Sequence, residues 1–175
     1  MILIDYLKRQ YLAMLQTDPV KYVKYLKKKG CRIGDEVCIY NGSMDMALLS
    51  LITIGSHVTL TGVTVLVHDA STKDAIGNTK IAPVVIGDHV FAGMGSIILA
   101  GTTIGDHVII GAGTVVRGEV PANSVVVGNP WKVVCSYDEY IEKNRERLAD
   151  AGVIDHKDPK NFETLQNLTG VTFIP

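Results

Sequence analysis

Five histidines, His57, His68, His89, His107 and His156, have the widest chemical reach of any side chains in this sequence near neutral pH. Three share one setting. His57 stands in "IGSHV", and His89 and His107 stand in identical "IGDHV" units. That repetition predicts an outward-facing ladder beside a chain corner, solvated and without chemistry. His156 falls in a polar C-terminal stretch. His68 differs. It ends an apolar run in "VLVHDAST" and opens a polar excursion over residues 68–83, "HDASTKDAIGNTKIAP". An imidazole held at a scaffold edge beneath a mobile loop suits a general base; the plainer alternative is a loop-edge histidine that only hydrogen-bonds. The adjacent Asp69 is a carboxylate that orients His68 or meets a substrate, although a neighbouring side chain folds back poorly.

Other chemistries are disfavoured. Cys31, Cys38 and Cys135 have no metal-like spacing, and three thiols cannot all pair within one chain, which predicts reduced cysteines in a cytoplasmic protein. No metal site is expected. A net charge of -1 gives no overall reason to expect nucleic acid. No apolar stretch approaches the roughly 20 residues that span a bilayer, and "MILIDYLKRQ" does not read as a signal peptide. The charge is uneven, however: residues 1–30 carry seven Lys/Arg against Asp5 and Asp18. That leaves weak peripheral membrane association open beside the plainer reading of a helical cap.

The element that positions His68 is legible as a period. From Ile86, steps of six land on Ala92, Ile98, Ile104, Ile110, Val116 and Ala122, and the residues four further on are Val90, Ser96, Thr102, Val108, Thr114, Val120 and Val126. Neither a helix nor an ordinary strand repeats every six. A short strand with two inward positions and then a corner does, and three such sides close a coil of eighteen residues that stacks in parallel on the next. Earlier units begin at Ile33, Ile39, Ile54, Leu60 and Leu66, with breaks of register between Ile39 and Ile54 and again over 68–83. Hydrophobic residues at 47% and charged residues at 20% suit a packed core.

Three parts follow: two short helices over 1–30, the repeat over 31–135, and a helix with a tail over 136–175. Asp18-Pro19 restarts the chain as N-cap and first helical residue, and "KKKG" closes the second helix. An open stack needs covered ends, so both termini are expected to cap it.

"VVIGDHVFAGMGSIILAGTTIGDHVIIGAGTVVRGEVPANSVVVGNPWKVV", with the preceding "HD" and its excursion, strongly resembles the hexapeptide-repeat acyltransferases, in particular the maltose/galactoside and polysaccharide O-acetyltransferases. The resemblance implies a mainly β fold, a left-handed parallel β-helix with short helical terminal segments. It implies a homotrimer with acetyl-CoA in grooves between neighbouring copies, and a saccharide or oligosaccharide acceptor. His68 matches the catalytic base. The backbone N–H of Met94 matches a donor to the tetrahedral oxyanion, although the family often has a small or hydroxyl residue there. Ala112 matches an amide on the pantetheine arm. Arg117 and Lys132 fall where the nucleotide end of coenzyme A lies, Lys132 just after the "GNP" turn. Asn41 aligns roughly with an acceptor-contacting asparagine, and Asp45 follows it as a second acceptor candidate. Rival readings are N-acetylation of an amino-sugar, a solenoid that only binds, and a zinc enzyme like the γ-type carbonic anhydrases. Against the last, the nearest histidine pair, His57 and His68, is eleven apart.

Overall fold

The computed structural model describes residues 2–151. His156 and the "NLTGVTFIP" tail lie outside them. The chain divides into Met1–Asp138 and Glu139–Pro175. In the first unit the chain passes in cyclic order through three parallel sheets. Sheet A stacks Arg32–Ile33, Ile52–Ile54, Val84–Ile86, Thr103–Ile104 and Glu119–Val120. Sheet B stacks Cys38–Tyr40, Thr59–Thr61, Phe91–Ala92, Val108–Ile110 and Ser124–Gly128, and Trp131–Ser136 turns back to pair antiparallel on its end. Sheet C stacks Ser43–Met44, Thr64–Val65, Ile97–Ile98 and Val115–Val116.

Parallel register puts like residues over like. Ile33, Ile54, Ile86, Ile104 and Val120 form the inward column of sheet A, and Ile39, Leu60, Ala92, Ile110 and Val126 that of sheet B. All are buried but the half-buried Ile33 of the first coil. Ser96, Thr102 and Thr114, expected between them, are buried, and so is Ser124, which the count of six did not single out. Each hydroxyl turns back to a carbonyl three residues earlier, Ser96 to Gly93, Thr102 to Leu99, Thr114 to Gly111 and Ser124 to Pro121, at 2.6–2.8 Å. A buried hydroxyl left without such a partner would cost about 1–3 kcal/mol.

Two inward positions differ from the six-step count. Val65, not Leu66, pairs with Ile98, because the corner after Leu60 is one residue shorter than the corner after Ala92. Val120, not Ala122, pairs with Ile104, and Ala122 is exposed. Between Val116 and Val120 the chain turns through Arg117 and Gly118 alone, where the coil before uses Leu99–Thr102.

The "IGDH" motif proves architectural. Asp106 Oδ1 accepts the N–H of Asp88 at 2.8 Å, Asp88 Oδ1 accepts that of Ser56 at 2.6 Å, and Ser56 Oγ accepts that of Asp35 at 3.1 Å. Each coil thus caps the corner of the one before. The neighbouring glycine makes room: a Cβ on Gly87 would lie 2.3 Å from Asp106 Oδ1, and one on Gly55 2.2 Å from Asp88 Oδ1. His57, His89 and His107 follow in the left-handed region, φ 54–57°, and stack face to face at 4.6 and 4.7 Å, with Tyr137 edge-on below and Glu36 on His57 Nδ1 at 3.0 Å above. The expected ladder is present.

Helix α1 (Ile2–Gln16) and helix α2 (Pro19–Lys28) precede the first coil. Asp18 caps α2 by accepting the Lys21 N–H at 3.0 Å, and Tyr22, Val23 and Leu26 join the core. Gln16 Nε2 donates to the Gly42 carbonyl at 2.8 Å, tying the helices to the first coil. Burial raises the Tyr22 phenol above its ordinary pKa. Its hydroxyl makes no hydrogen bond of ordinary geometry among the described residues; Gln16, whose side chain offsets part of that rise, gives an amide N–H to Gly42 instead. Tyr22→Phe should therefore leave stability unchanged or raise it by up to about 1 kcal/mol, read from urea unfolding. Cys31, Cys38 and Cys135 are all free thiols. Burial pushes Cys31 up to about 11.

Helix α4 (Tyr137–Ala151) begins at the close of the first unit and runs into the second. Within it Glu142 pairs with Arg145, and Asn144 Nδ2 donates to the Tyr140 carbonyl at 2.7 Å. Among the described residues no helix is long and apolar enough to cross a membrane.

Candidate active site

The excursion after sheet C is ordered. His68–Asp69 pairs antiparallel with Lys80–Ile81, and a single helical turn, α3 (Lys73–Ile76), closes the loop on Gly77 at φ 72°. His68 is thus fixed in the stem of a hairpin, where the sequence led us to expect an edge beneath a loose loop. Its cross-strand partner is Ile81. The Ala82 N–H donates to the Val67 carbonyl at 3.0 Å and closes the stem onto the scaffold.

One side chain holds the imidazole, and it comes from the coil above. Met44 pairs with Val65 in sheet C, and the Asp45 N–H donates to the Val65 carbonyl at 3.1 Å. That register brings the Asp45 carboxylate onto His68 Nδ1. The Asp45 side chain is 6% exposed and that of His68 44%. Asp69, the sequence neighbour, does not reach the ring in this way. Its carboxylate accepts the Ser71 N–H at 2.8 Å, which chiefly holds it below the usual carboxylate range. With its Nδ1–H donated to the Asp45 carboxylate, the neutral imidazole carries its lone pair on Nε2.

Beside this pair lies a cleft of about 330 Å³ lined by Leu66, His68, Asp69, Lys80, Leu99, Ala100 and Arg117. Leu66, Leu99 and Arg117 are successive residues after sheet C strands, stacked along one corner. Arg117 therefore shares the cleft with His68. The Arg117 carbonyl accepts the Trp131 indole N–H at 2.9 Å, and the Trp131 ring packs on the core.

Asn41, Met94 and Ala112 sit at another corner, between sheets B and C. Asn41, at φ 51°, donates its N–H to the Gln16 carbonyl at 3.2 Å. Met94 is 64% exposed. Its carbonyl accepts the Gly113 N–H at 2.9 Å. A Cβ on Gly93 would lie 2.7 Å from the Ala112 nitrogen, so the glycine lets the two coils close at Met94 and Ala112. Lys132 is exposed and pairs with Val127 at the end of sheet B. Within one chain, then, the structure joins His68, Asp45, Asp69 and Arg117, and sets Asn41, Met94 and Ala112 apart from them. Among the described residues no cluster of His, Cys, Asp or Glu could hold a metal ion.

The family described as bacterial transferase hexapeptide (six repeats) matches residues 83–118. Protein CapG of Staphylococcus aureus is 36% identical over 146 residues, 78% of this chain and 84% of that one. A maltose O-acetyltransferase of Clostridium difficile 630 is similar in structure, with a TM-score of 0.50 and 28% identity over 73% of this chain and 83% of its own. A hexapeptide-repeat acetyltransferase of Vibrio cholerae, solved with acetyl coenzyme A, has a TM-score of 0.60 at 24% identity, over 73% of this chain and 84% of that one, and shares the fold. An identity above a third across most of both chains, on three parallel sheets built from six-residue steps, places this protein in the hexapeptide-repeat transferase family, as an acyltransferase.

Proposed function

We propose that the protein is an acetyl-CoA-dependent O-acetyltransferase acting on a saccharide hydroxyl, and that its three parallel sheets wind as a left-handed β-helix. The observation that carries the mechanism is the buried Asp45 carboxylate on His68 Nδ1 at the mouth of the cleft. His68 Nε2 takes the proton of an acceptor hydroxyl as its oxygen attacks the thioester carbonyl. The proton then passes to the sulfur of the departing coenzyme A. Asp45 is the positioning residue: it fixes the tautomer and steadies the imidazolium that forms, the part a carboxylate plays behind a histidine base. Asp69 and Asn41 remain the acceptor-side candidates. The backbone N–H of Met94 supplies the oxyanion donor, and Ala112 the contact to the pantetheine arm.

Those last groups belong to a different corner, and this supports a homotrimer in which one copy's His68 corner faces the next copy's Met94 corner. The outward rows agree. Sheet A shows Arg32, Thr53, Thr103 and Glu119 around Val85; sheets B and C show Cys38, Thr59, Ser43 and Thr64 in their first two coils and the apolar Phe91, Ile109, Ile97 and Val115 in the later ones. Apolar strips of that kind mark interfaces, and closed three-fold packing leaves none uncovered. The cytoplasm, where acetyl-CoA is made, is the proposed compartment.

The test is transfer itself: thiol release from acetyl-CoA across neutral, acidic and amino sugars and their oligomers. Release only with amine acceptors would replace O-transfer by N-transfer, and none with any acceptor would overturn the acceptor class. For the donor, Lys132→Ala should weaken coenzyme A binding about tenfold or more, yet barely alter binding of the analogue lacking the 3′-phosphate, since a charge-assisted contact counts only where the phosphate exists. Calorimetry on both ligands reads the difference.

A further inference from the structure

Helices α1 and α2 carry more apolar surface and more positive charge than a cap requires. Leu7, Tyr11 and Met14 recur at i, i+4 and i+7 along α1 and are 56, 54 and 62% exposed. That spacing makes one stripe along the helix. On α2, Lys24 and Lys28 share a face, and Lys29 follows at its end with its ammonium 5.8 Å from the Tyr25 ring centre. None of the three has an acidic partner among the described residues, whereas Lys21 pairs with Asp18, and Lys27 donates to the Gly34 carbonyl. The two sets meet. A cleft of about 480 Å³ between the helices is lined by Tyr11, Leu15 and Tyr25 together with Lys21, Lys24, Lys28 and Lys29.

We infer that this α1–α2 face docks on an anionic lipid bilayer, with the apolar stripe entering the headgroup region and the lysines meeting lipid phosphates. A basic face beside an apolar one is the pattern that lies in a membrane interface, where tyrosine is a favoured side chain. The charge excludes a second copy as the occupant, because pairing two such faces would set lysines against lysines. A soluble polyanion would satisfy the lysines and leave the stripe exposed.

Co-sedimentation of the full chain with vesicles tests this. Binding is expected to equimolar phosphatidylcholine and phosphatidylglycerol, to fall steeply with added salt, and to be lost on phosphatidylcholine alone. Each lysine removed should cost about fivefold in affinity, so Lys24→Glu with Lys28→Glu should weaken binding about 25-fold or more, with transfer to a soluble acceptor unchanged. Tyr11→Ser with Met14→Ser should weaken binding too. The inference is overturned by no binding to the anionic vesicles, or by equal binding to neutral ones. Dextran sulfate held as tightly by Tyr11→Ser/Met14→Ser as by the native chain, with vesicle binding also unchanged, would make the face a polyanion site instead. A smaller oligomer for either double variant in light scattering would make it a contact between copies. The salt and lipid dependence of the native chain decides the matter even if a variant fails to fold.

Discussion

Alanine at His68 is expected to lower transfer about 10²–10⁴-fold, the usual contribution of a general base, with acetyl-CoA still bound. The ring is fixed by the hairpin stem on one side and by Asp45 on the other, so its loss removes the proton acceptor and leaves the cleft standing. His89→Ala and His107→Ala should keep near-native rates, since those rings stack on each other and on Tyr137, away from the His68 cleft. Asp45→Asn separates positioning from chemistry. It should lower kcat about 10-fold or more with little change in KM, because an amide can keep the contact but does not stabilise an imidazolium. Asp69→Asn should do far less to kcat. Steady-state thiol release reads all five variants, and full activity in His68→Ala would place the base elsewhere.

Glutamate at Phe91 or Ile109 is expected to dissociate the protein into monomers that keep β-structure and lose transfer. The two residues pair in the outward row of sheet B; Phe91 is 45% exposed and Ile109 half-buried. A buried carboxylate without a partner costs several kcal/mol at an interface, enough to undo ordinary subunit affinity. The inward column beneath is untouched, so circular dichroism should not change. Activity should vanish with the trimer, because Met94 and Ala112 reach a His68 only across copies in this reading. Light scattering and thiol release on the same fractions decide it, and an active monomer would show that one chain holds a complete site.

The repeat was legible because burial forces aliphatic residues onto the inward positions, and apart from Leu66 the units from Ile33 to Val116 lie where the count of six puts them. What misled was the corners. A shortened turn leaves no mark in composition, so Leu66 and Ala122 looked inward where Val65 and Val120 are. Asp45 was singled out as an acceptor candidate because it follows Asn41 at a break of register, but its partner His68 was not foreseen. It meets His68 only because Met44 stacks on Val65, a register that follows once the turn after Ile39 is read as one residue short. Asp69, adjacent in sequence, was weighed as the residue that orients His68 although a neighbour folds back poorly, and its carboxylate turns to the Ser71 N–H instead.

The corner lengths have a consequence for how such a chain can change. From sheet A to sheet B the path is six residues in every coil: Ile33 to Ile39, Ile54 to Leu60, Ile86 to Ala92, Ile104 to Ile110 and Val120 to Val126. The carboxylate and histidine columns lock that edge. From sheet C back to sheet A no column of that kind repeats from coil to coil, and the path runs from the pair Arg117–Gly118 to the whole hairpin after Val67. The protein therefore has one edge that counts residues and one that does not. Sequence can be spliced in or out at the second without shifting a single rung. Specificity can then be rewritten by exchanging the segment that carries the His68 stem, while the stack that holds it is inherited intact.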